Sequence, residues 1–527
     1  MKYNEILMKL GDFGLYQKRL YFLTCLPALI IGLQPMLTIF ILAIPSHRCQ
    51  LPSEFLDTHY YPTNNVTQYY VNSTIPVDDG QWAECEQYDV GNSTMFKGMD
   101  VVNGNISRTK CNDWVYDTST YHNTFVSEFN LVCDDTIYRS HANMLFMFGK
   151  MLGSLVFGII ADLFGRKKSF IISVLIDLFC SMTIAFSPSV WVFFILRMLV
   201  GAANSGIFIS TFIIGLELVG KSKRAFAGIV IEFFWVGGLF ILLVLAYLLR
   251  SWDDLLLATA LPILPLVITF WFIPESTRWL VSKGRTKEAE KILRKAAKVN
   301  KVELPDELFD KDCLEKEPRV KIWEMFTSPV LVIRSFIIFS SWAVISMVYY
   351  GLNLNITNLS GNIHINFTIS NIVEFLAYLS VFIFAERIGR KPILCMSMLV
   401  GGAACVLSIF PVLYGNSAHY WITNGLSMIG KFGASAGFGV IYMFSAELFP
   451  TVLRNSSVGL CSVSARIGSM IAPYISDILL KGELELALPL IVFGICSVVA
   501  GLLALLLPET MNRNLPDTIE DAKSFGR

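Results

Sequence analysis

The chain has 527 residues, 54% hydrophobic and 16% charged, with no net charge. Soluble domains carry about 25% charged residues, so this balance argues for a membrane protein, and zero net charge gives nucleic acid no foothold. The start, MKYNEILMKLGDFGLYQKRL, mixes acids with lysines and lacks the basic start and small-residue cleavage site of a secretory signal. The first apolar run is therefore expected to remain as a spanning helix.

A spanning helix needs roughly 20 mostly apolar residues. In chain order, twelve segments qualify: 20–44, 141–161, 168–187, 190–212, 226–249, 254–273, 331–354, 366–385, 393–413, 418–446, 453–476 and 487–507. Two long polar stretches, 45–140 and 274–330, interrupt them. Lys and Arg set orientation. They cluster in the amino-terminal tail, after the second, fourth and eighth spans, and over 278–301, with Arg250 and Lys481 as exceptions. Both termini and 274–330 are expected in the cytoplasm of a multi-pass cell-membrane protein, with 45–140 outside.

The outer stretch holds Cys49, Cys85, Cys111 and Cys133, an even set that suggests two disulfides in any of three pairings. It also holds N-x-[ST] sequons at Asn65, Asn72, Asn92 and Asn105, the expected glycosylation sites. On the other side, GRTKEAEKILRKAAKVNK (284–301) has helical spacing, with Glu290 four residues before Arg294. Its basic face would meet water or anionic lipid.

The chain contains itself twice. ADLFGRKK (161–168) matches AERIGRKP (385–392), ELVGKSKR (217–224) matches ELFPTVLR (447–454), and PEST (274–277) matches PETM (508–511). Two parallel six-helix halves are the signature of the major facilitator architecture, whose substrate site lies between the halves near mid-membrane. The expected fold is thus all-α, with twelve transmembrane helices in two pseudo-repeats. The halves are 1–273 and 331–527, joined by a cytoplasmic linker over 274–330.

The duplicated motifs place Asp162, Arg166, Glu217 and Arg224 in one half and Glu386, Arg390, Glu447 and Arg454 in the other. Glycine permits the tight turn, and Arg can pair with Glu on a neighbouring helix end. Exposed pairs are worth only about 0–1 kcal/mol, weak enough to break during rocking. These residues, with Arg197, form the expected cytoplasmic gate; plain topological anchoring is the alternative. GLELVGKS (215–222) fits the phosphate-loop pattern, but an ATP-driven pump needs a strand before the loop and a soluble nucleotide domain. Neither is present, so the string is read as half of the gate.

Ionisable residues inside spans are functional candidates. Here they are Lys150, Asp177, Arg197, Glu232, Glu374, Lys431 and Arg466. Lys150 and Asp177 could pair with each other. Aromatic side chains hold organic cations by cation–π attraction or stack flat anions. The expected substrate-binding set is Trp235, Trp342, Tyr349, Tyr350, Glu374, Lys431, Phe438, Tyr442 and Arg466. No catalytic, metal or cofactor site is expected, so the chain is not an enzyme.

DWVYDTS (113–119), EFNLVCDD (128–135), ADLFGRKK, PESTRWLVSKGR (274–285) and YYGLNLN (349–355) carry a resemblance to a known family. So do KFGASAGFGVIYMFSAELFPTVLRN (431–455), ARIGSMIAPYIS (465–476) and LPETMNRNLPDTIEDA (507–522). Together they resemble the organic ion transporters of solute carrier family 22, across nearly the whole chain. The resemblance implies carriage of organic cations, anions or zwitterions. The cation branch has an acid where this chain has Arg466, whereas the anion and carnitine branches resemble it in Arg466 and Lys431. Glu374 resembles the carnitine branch, but Phe375-Leu376 replaces its usual Ile/Val-Pro. The expected function is secondary transport of a small organic zwitterion or anion by alternating access, with organic cation carriage as the alternative. Expected partners are that substrate, the lipid bilayer, and a coupling ion (Na⁺ or H⁺) or an exchanged anion.

Overall fold

The structure, a computed structural model, describes residues 3–11, 13–51, 57–78, 80–88, 107–220, 224–305, 308–309, 328–414, 420–450, 453–479, 487–513, 516 and 519–525. The sequons Asn92 and Asn105, and Lys221 and Ser222 of the phosphate-loop-like string, lie outside these residues, as does the side chain of Arg224.

Among the described residues, eleven helices long and apolar enough to cross a membrane and a shorter twelfth follow the expected order. They are α1 (Leu15–Ile41), α2 (Ile137–Phe164), α3 (Arg166–Thr183), α4 (Val190–Leu218), α5 (Arg224–Leu248) and α6 (Trp252–Phe272). The second set is α7 (Pro329–Leu354), α8 (Ile363–Phe384), α9 (Arg390–Tyr414), α10 (Tyr420–Leu448), α11 (Arg454–Ile478) and α12 (Leu488–Ala504). Large apolar side chains such as Phe179, Trp271 and Leu506 point outwards, as a lipid-facing surface requires. Close helix packing relies on small residues, the usual device where lipid removes the hydrophobic drive between helices. A Cβ on Gly149 of α2 would stand 2.0 Å from the Met198 carbonyl oxygen of α4, and one on Gly468 of α11 would stand 1.9 Å from that of Ala343 on α7.

The two six-helix halves meet along α2 against α11 and α5 against α8. At the face that carries the 45–140 stretch, α2 grips α11. The Ser140 hydroxyl donates to Asp477 Oδ2 at 2.5 Å, Arg139 Nη1 lies 3.8 Å from Asp477 Oδ1, and His141 Nδ1 is 2.8 Å from the Tyr474 hydroxyl. Further down, Phe233 of α5 packs on Phe375 of α8.

The 45–140 stretch folds on short antiparallel pairs. His47–Cys49 runs beside Trp114–Tyr116, and Glu86–Tyr88 beside Arg108–Lys110. Of the three pairings that the sequence left open, the structure holds Cys49–Cys111 and Cys85–Cys133. Buried Arg48 grips Asp57 with two nitrogens, at 2.7 and 2.6 Å.

On the opposite face lies the expected linker helix, Thr286–Asn300, with Glu290 and Arg294 paired at 2.6 Å. Lys287, Lys291, Lys295 and Lys298 are exposed. Its apolar face is covered by the chain itself: Leu293, Ala296 and Ala297 pack on Ile6, Leu7 and Leu10 of the amino-terminal segment. The Asn300 side chain fixes that contact, donating to the Leu10 carbonyl at 2.9 Å and accepting from the Tyr16 amide at 2.9 Å.

Candidate functional site

Two candidate regions emerge, one at the face bearing the termini and one mid-way through the helices. At the terminal face the duplication holds in atomic detail. Gly165 and Gly389 both adopt φ 108°, a left-handed region open to glycine. Each turn is held from outside by a carboxylate. Glu275 accepts from the amides of Arg166 and Lys167 at 2.8 and 3.2 Å, and Glu509 accepts from those of Arg390 and Lys391 at 3.1 and 3.0 Å. These amides open α3 and α9, so each acid also sits on the positive end of a helix dipole. Both arginines donate backwards, Arg166 to the Ala161 carbonyl and Arg390 to that of Ala385. Ser276 donates to Glu217, and Thr510 donates to Glu447 at 2.5 Å.

The side-chain ion pairs differ between the copies. Arg166 pairs with Asp162 of its own turn at 3.1 Å, whereas Arg390 reaches Glu447 on α10 at 3.2 Å, and Glu386 stands exposed. Each pair stays within its own half, and neither crosses between the halves. Arg224 opens α5 and Arg454 opens α11. Arg197 stands apart from the residues with which the expected gate grouped it. It lies 20 residues before Glu217 on α4, about 30 Å by helical rise. It donates to the Gln34 carbonyl at 2.9 Å, with its guanidinium 4.4 Å from the Phe146 ring.

The middle region gathers most of the expected binding residues. Glu374 on α8 and Lys431 on α10 form an ion pair at 2.7 Å, with side chains 0% and 2% exposed. The Tyr349 hydroxyl of α7 donates to the carboxylate's other oxygen at 2.7 Å, and the Lys431 ammonium lies 3.8 Å from the centre of the same ring. Trp235 of α5 then donates across the two halves to the Tyr349 hydroxyl at 3.2 Å. An aromatic wall continues the site. Phe438 stands 5.4 Å from Tyr349, Tyr350 5.1 Å from it, and Trp342 4.4 Å from Tyr442. Trp342 anchors itself through Ser445 at 2.8 Å.

Arg466 of α11 lies within electrostatic reach of Tyr350 and Tyr442, and its Nε is buried without a hydrogen-bond partner among the described residues. Lys150 of α2 faces the rings of Phe146 and Trp235, at 5.6 and 5.5 Å, rather than pairing with Asp177. Asp177 accepts from Ser181 at 3.4 Å. Glu232, one turn before Trp235 on α5, lies within electrostatic reach of Glu374. Charges of both signs therefore converge on an aromatic-walled seam between the halves.

Sequence reasoning passed over Glu275 and Glu509, although the PES and PET strings that contain them were in view as repeats. It also passed over the α2–α11 clasp of Arg139, Ser140 and Asp477. Asp477 is separated from Ser140 by 337 residues, so only its acidity near a helix end could have signalled it.

The family model described as sugar (and other) transporter matches residues 88–521. The organic cation transporter protein of Drosophila melanogaster is 39% identical over 100% of this chain and 95% of its own length. The human organic cation/carnitine transporter 2 is 32% identical over 98% of this chain and 93% of its own, and solute carrier family 22 member 21 of Mus musculus 32% over 99% and 93%. Among solved structures, the inward open xylose transporter XylE from E. coli superposes with TM-score 0.62 at 14% identity, covering 97% of this chain and 100% of that one. That likeness concerns the fold alone. The family model and the full-length relatives show a transporter rather than an enzyme: the chain belongs to solute carrier family 22, the organic ion transporters of the major facilitator superfamily.

Proposed function

We propose that this carrier moves small organic zwitterions or anions across the plasma membrane by alternating access, with both termini in the cytoplasm. The observation that carries this reading is the unequal state of the central charges. The strongest seat for an organic cation, Glu374 with its aromatic neighbours, is already neutralised by Lys431. Among the described residues, Lys150 and Arg466 have no ion pair of their own. Two cations without counter-ions favour a carboxylate in the passage. The aromatic wall and Glu232 suit an ammonium at the other end of a zwitterion. Trp235, Trp342, Tyr349, Tyr350, Phe438 and Tyr442 line this seat in the proposal, and Arg466 takes the carboxylate. The duplicated turns serve as the cytoplasmic gate, with a coupling ion or an exchanged anion completing the cycle.

The test is uptake of labelled carnitine, a dicarboxylate and tetraethylammonium in cells expressing the full chain. Carboxylate uptake that falls at least tenfold in Arg466→Ala supports the reading. Uptake of the cation alone, unchanged in Arg466→Ala, overturns it in favour of an organic cation carrier, the activity that the Drosophila relative's name describes. Replacing external Na⁺ during uptake separates a Na⁺-coupled cycle from H⁺ coupling or exchange.

A further inference from the structure

The Glu374–Lys431 pair is arranged in a way that a merely structural ion pair does not require. Two buried charges need each other, since removing one leaves the other uncompensated, but they need no aromatic faces. Here the ammonium lies 3.8 Å from the centre of the Tyr349 ring and 2.7 Å from the carboxylate. The ring is held in place through its hydroxyl, which donates to Glu374 and accepts from Trp235. Phe438 and Tyr350 flank it at 5.4 and 5.1 Å. A carboxylate backed by ring faces is the composition that recognises an organic ammonium. The ammonium that fills it belongs to the chain. The seat also adjoins the seam between the halves, because Trp235 comes from the opposite half.

We infer that Lys431 is a tethered cation that occupies an organic-ammonium seat built from Glu374 and Tyr349, and that it thereby sets which charge the carrier accepts. The inference rests on the zwitterion-or-anion reading above and makes Lys431 the first determinant of that selectivity. While Lys431 is seated, a free cation meets no available carboxylate at Glu374, and discrimination passes to Arg466 and Lys150. Glu232 of α5 is the other acid within electrostatic reach of Glu374. It stays available to the ammonium end of a zwitterion whose carboxylate is held by Arg466, whereas a simple cation reaching it has no carboxylate to set against Arg466 and Lys150. Removing the lysine side chain vacates both the charge and the volume of the seat.

Lys431→Ala is therefore expected to gain tetraethylammonium uptake, at least tenfold over wild type at equal surface level. Lys431→Ala with Glu374→Gln is expected to lose that gain, because the seat no longer carries a charge. Glu374→Gln alone frees the ammonium and is expected to lower KM for an anionic dicarboxylate at least threefold. This variant also decides the matter should Lys431→Ala fail to reach the surface. Wild-type rejection of tetraethylammonium with no gain in surface-expressed Lys431→Ala overturns the tethered-cation role, as does a dicarboxylate KM unchanged in Glu374→Gln. Wild-type uptake of tetraethylammonium in preference to carnitine and the dicarboxylate overturns the broader charge assignment instead, so the two failures are told apart.

Discussion

The two Gly-Arg-Lys turns share a backbone but not a salt bridge. In both, glycine at φ 108° turns the chain and an outside glutamate caps the two amides that follow. Yet Arg166 spends its charge on Asp162, 75% exposed and in its own turn, while Arg390 reaches across to Glu447, 21% exposed and on another helix. The backbone cap is what duplication has kept; the side-chain pair is where the copies have drifted. A half-buried carboxylate that caps two amides has one workable geometry. A long arginine at a helix end has several acids within reach.

The strongest way to break this comparison is to deny the turn its glycine. A Cβ at Gly165 would stand 2.2 Å from Glu275 Oε2, and one at Gly389 2.7 Å from Glu509 Oε2. Alanine at φ 108° with ψ 155–165°, an extended region kept for glycine, costs about 1–3 kcal/mol before any clash. Each substitution also pushes the capping glutamate off its amides. Gly165→Ala and Gly389→Ala should each destabilise the protein by about 2–4 kcal/mol. The effect should be greater at Gly165, where the clash is tighter. Thermal unfolding of detergent-solubilised protein, followed by loss of the monodisperse peak, reads the order directly. A larger loss at Gly389 would contradict the geometry.

Next in size come the caps. Glu275→Ala and Glu509→Ala each remove a charged acceptor from two amides, worth about 1.5–3 kcal/mol per bond to a charged group at most. Because both caps hold the same two turn amides, with Glu275 adding that of Ser276 and Glu509 those of Thr510 and Met511, the two losses should agree within about 1 kcal/mol. Unequal losses would mean that the backbone, too, has diverged.

Much of this was legible in the sequence, and the limit has a physical cause. The helices announce themselves through long apolar runs, since a spanning segment must be continuous along the chain. The repeat was visible because ADLFGRKK and AERIGRKP keep their local spacing. What holds the duplicated turns in place is non-local. Glu275 lies 109 residues from Arg166, and Glu509 lies 119 from Arg390, so neither motif names its cap. Likewise Glu374 and Lys431 stood out as costly charges within spans, but only the packing of α8 on α10 makes them partners. Arg197 misled because charge within a span marks importance, not depth along the helix. Disulfide pairing was equally closed to spacing alone.

The drifted ion pairs give a smaller, directional test. Asp162→Ala removes an exposed partner and should change stability by about 0–1 kcal/mol. Glu447→Ala removes an acid that accepts from both Arg390 and Thr510 and ties the turn to α10, so about 1–2 kcal/mol is expected. The same melts apply, with uptake as a second readout. Should the pair act as a gate, Glu447→Ala lowers uptake severalfold at equal surface level and Asp162→Ala does not. Equal effects at the two positions would erase the distinction drawn between the copies.

A last, single-atom change probes where the halves are least alike, at the centre. Tyr349→Phe keeps the ring under the Lys431 ammonium but deletes the hydroxyl that links Glu374 to Trp235. One hydrogen bond to a carboxylate and one from an indole are lost, while the ion pair at 2.7 Å remains. The net cost should be about 1 kcal/mol, which is about fivefold in an equilibrium constant. If the hydroxyl orients the seat, the change appears in KM for the carboxylate substrate with surface level and melting temperature little altered. If it chiefly ties the two halves together, maximal uptake changes instead, because each turnover must then break and remake the Trp235 bond. A split in favour of KM assigns the centre to recognition, and leaves the movement of the halves to the α2–α11 clasp and the duplicated turns.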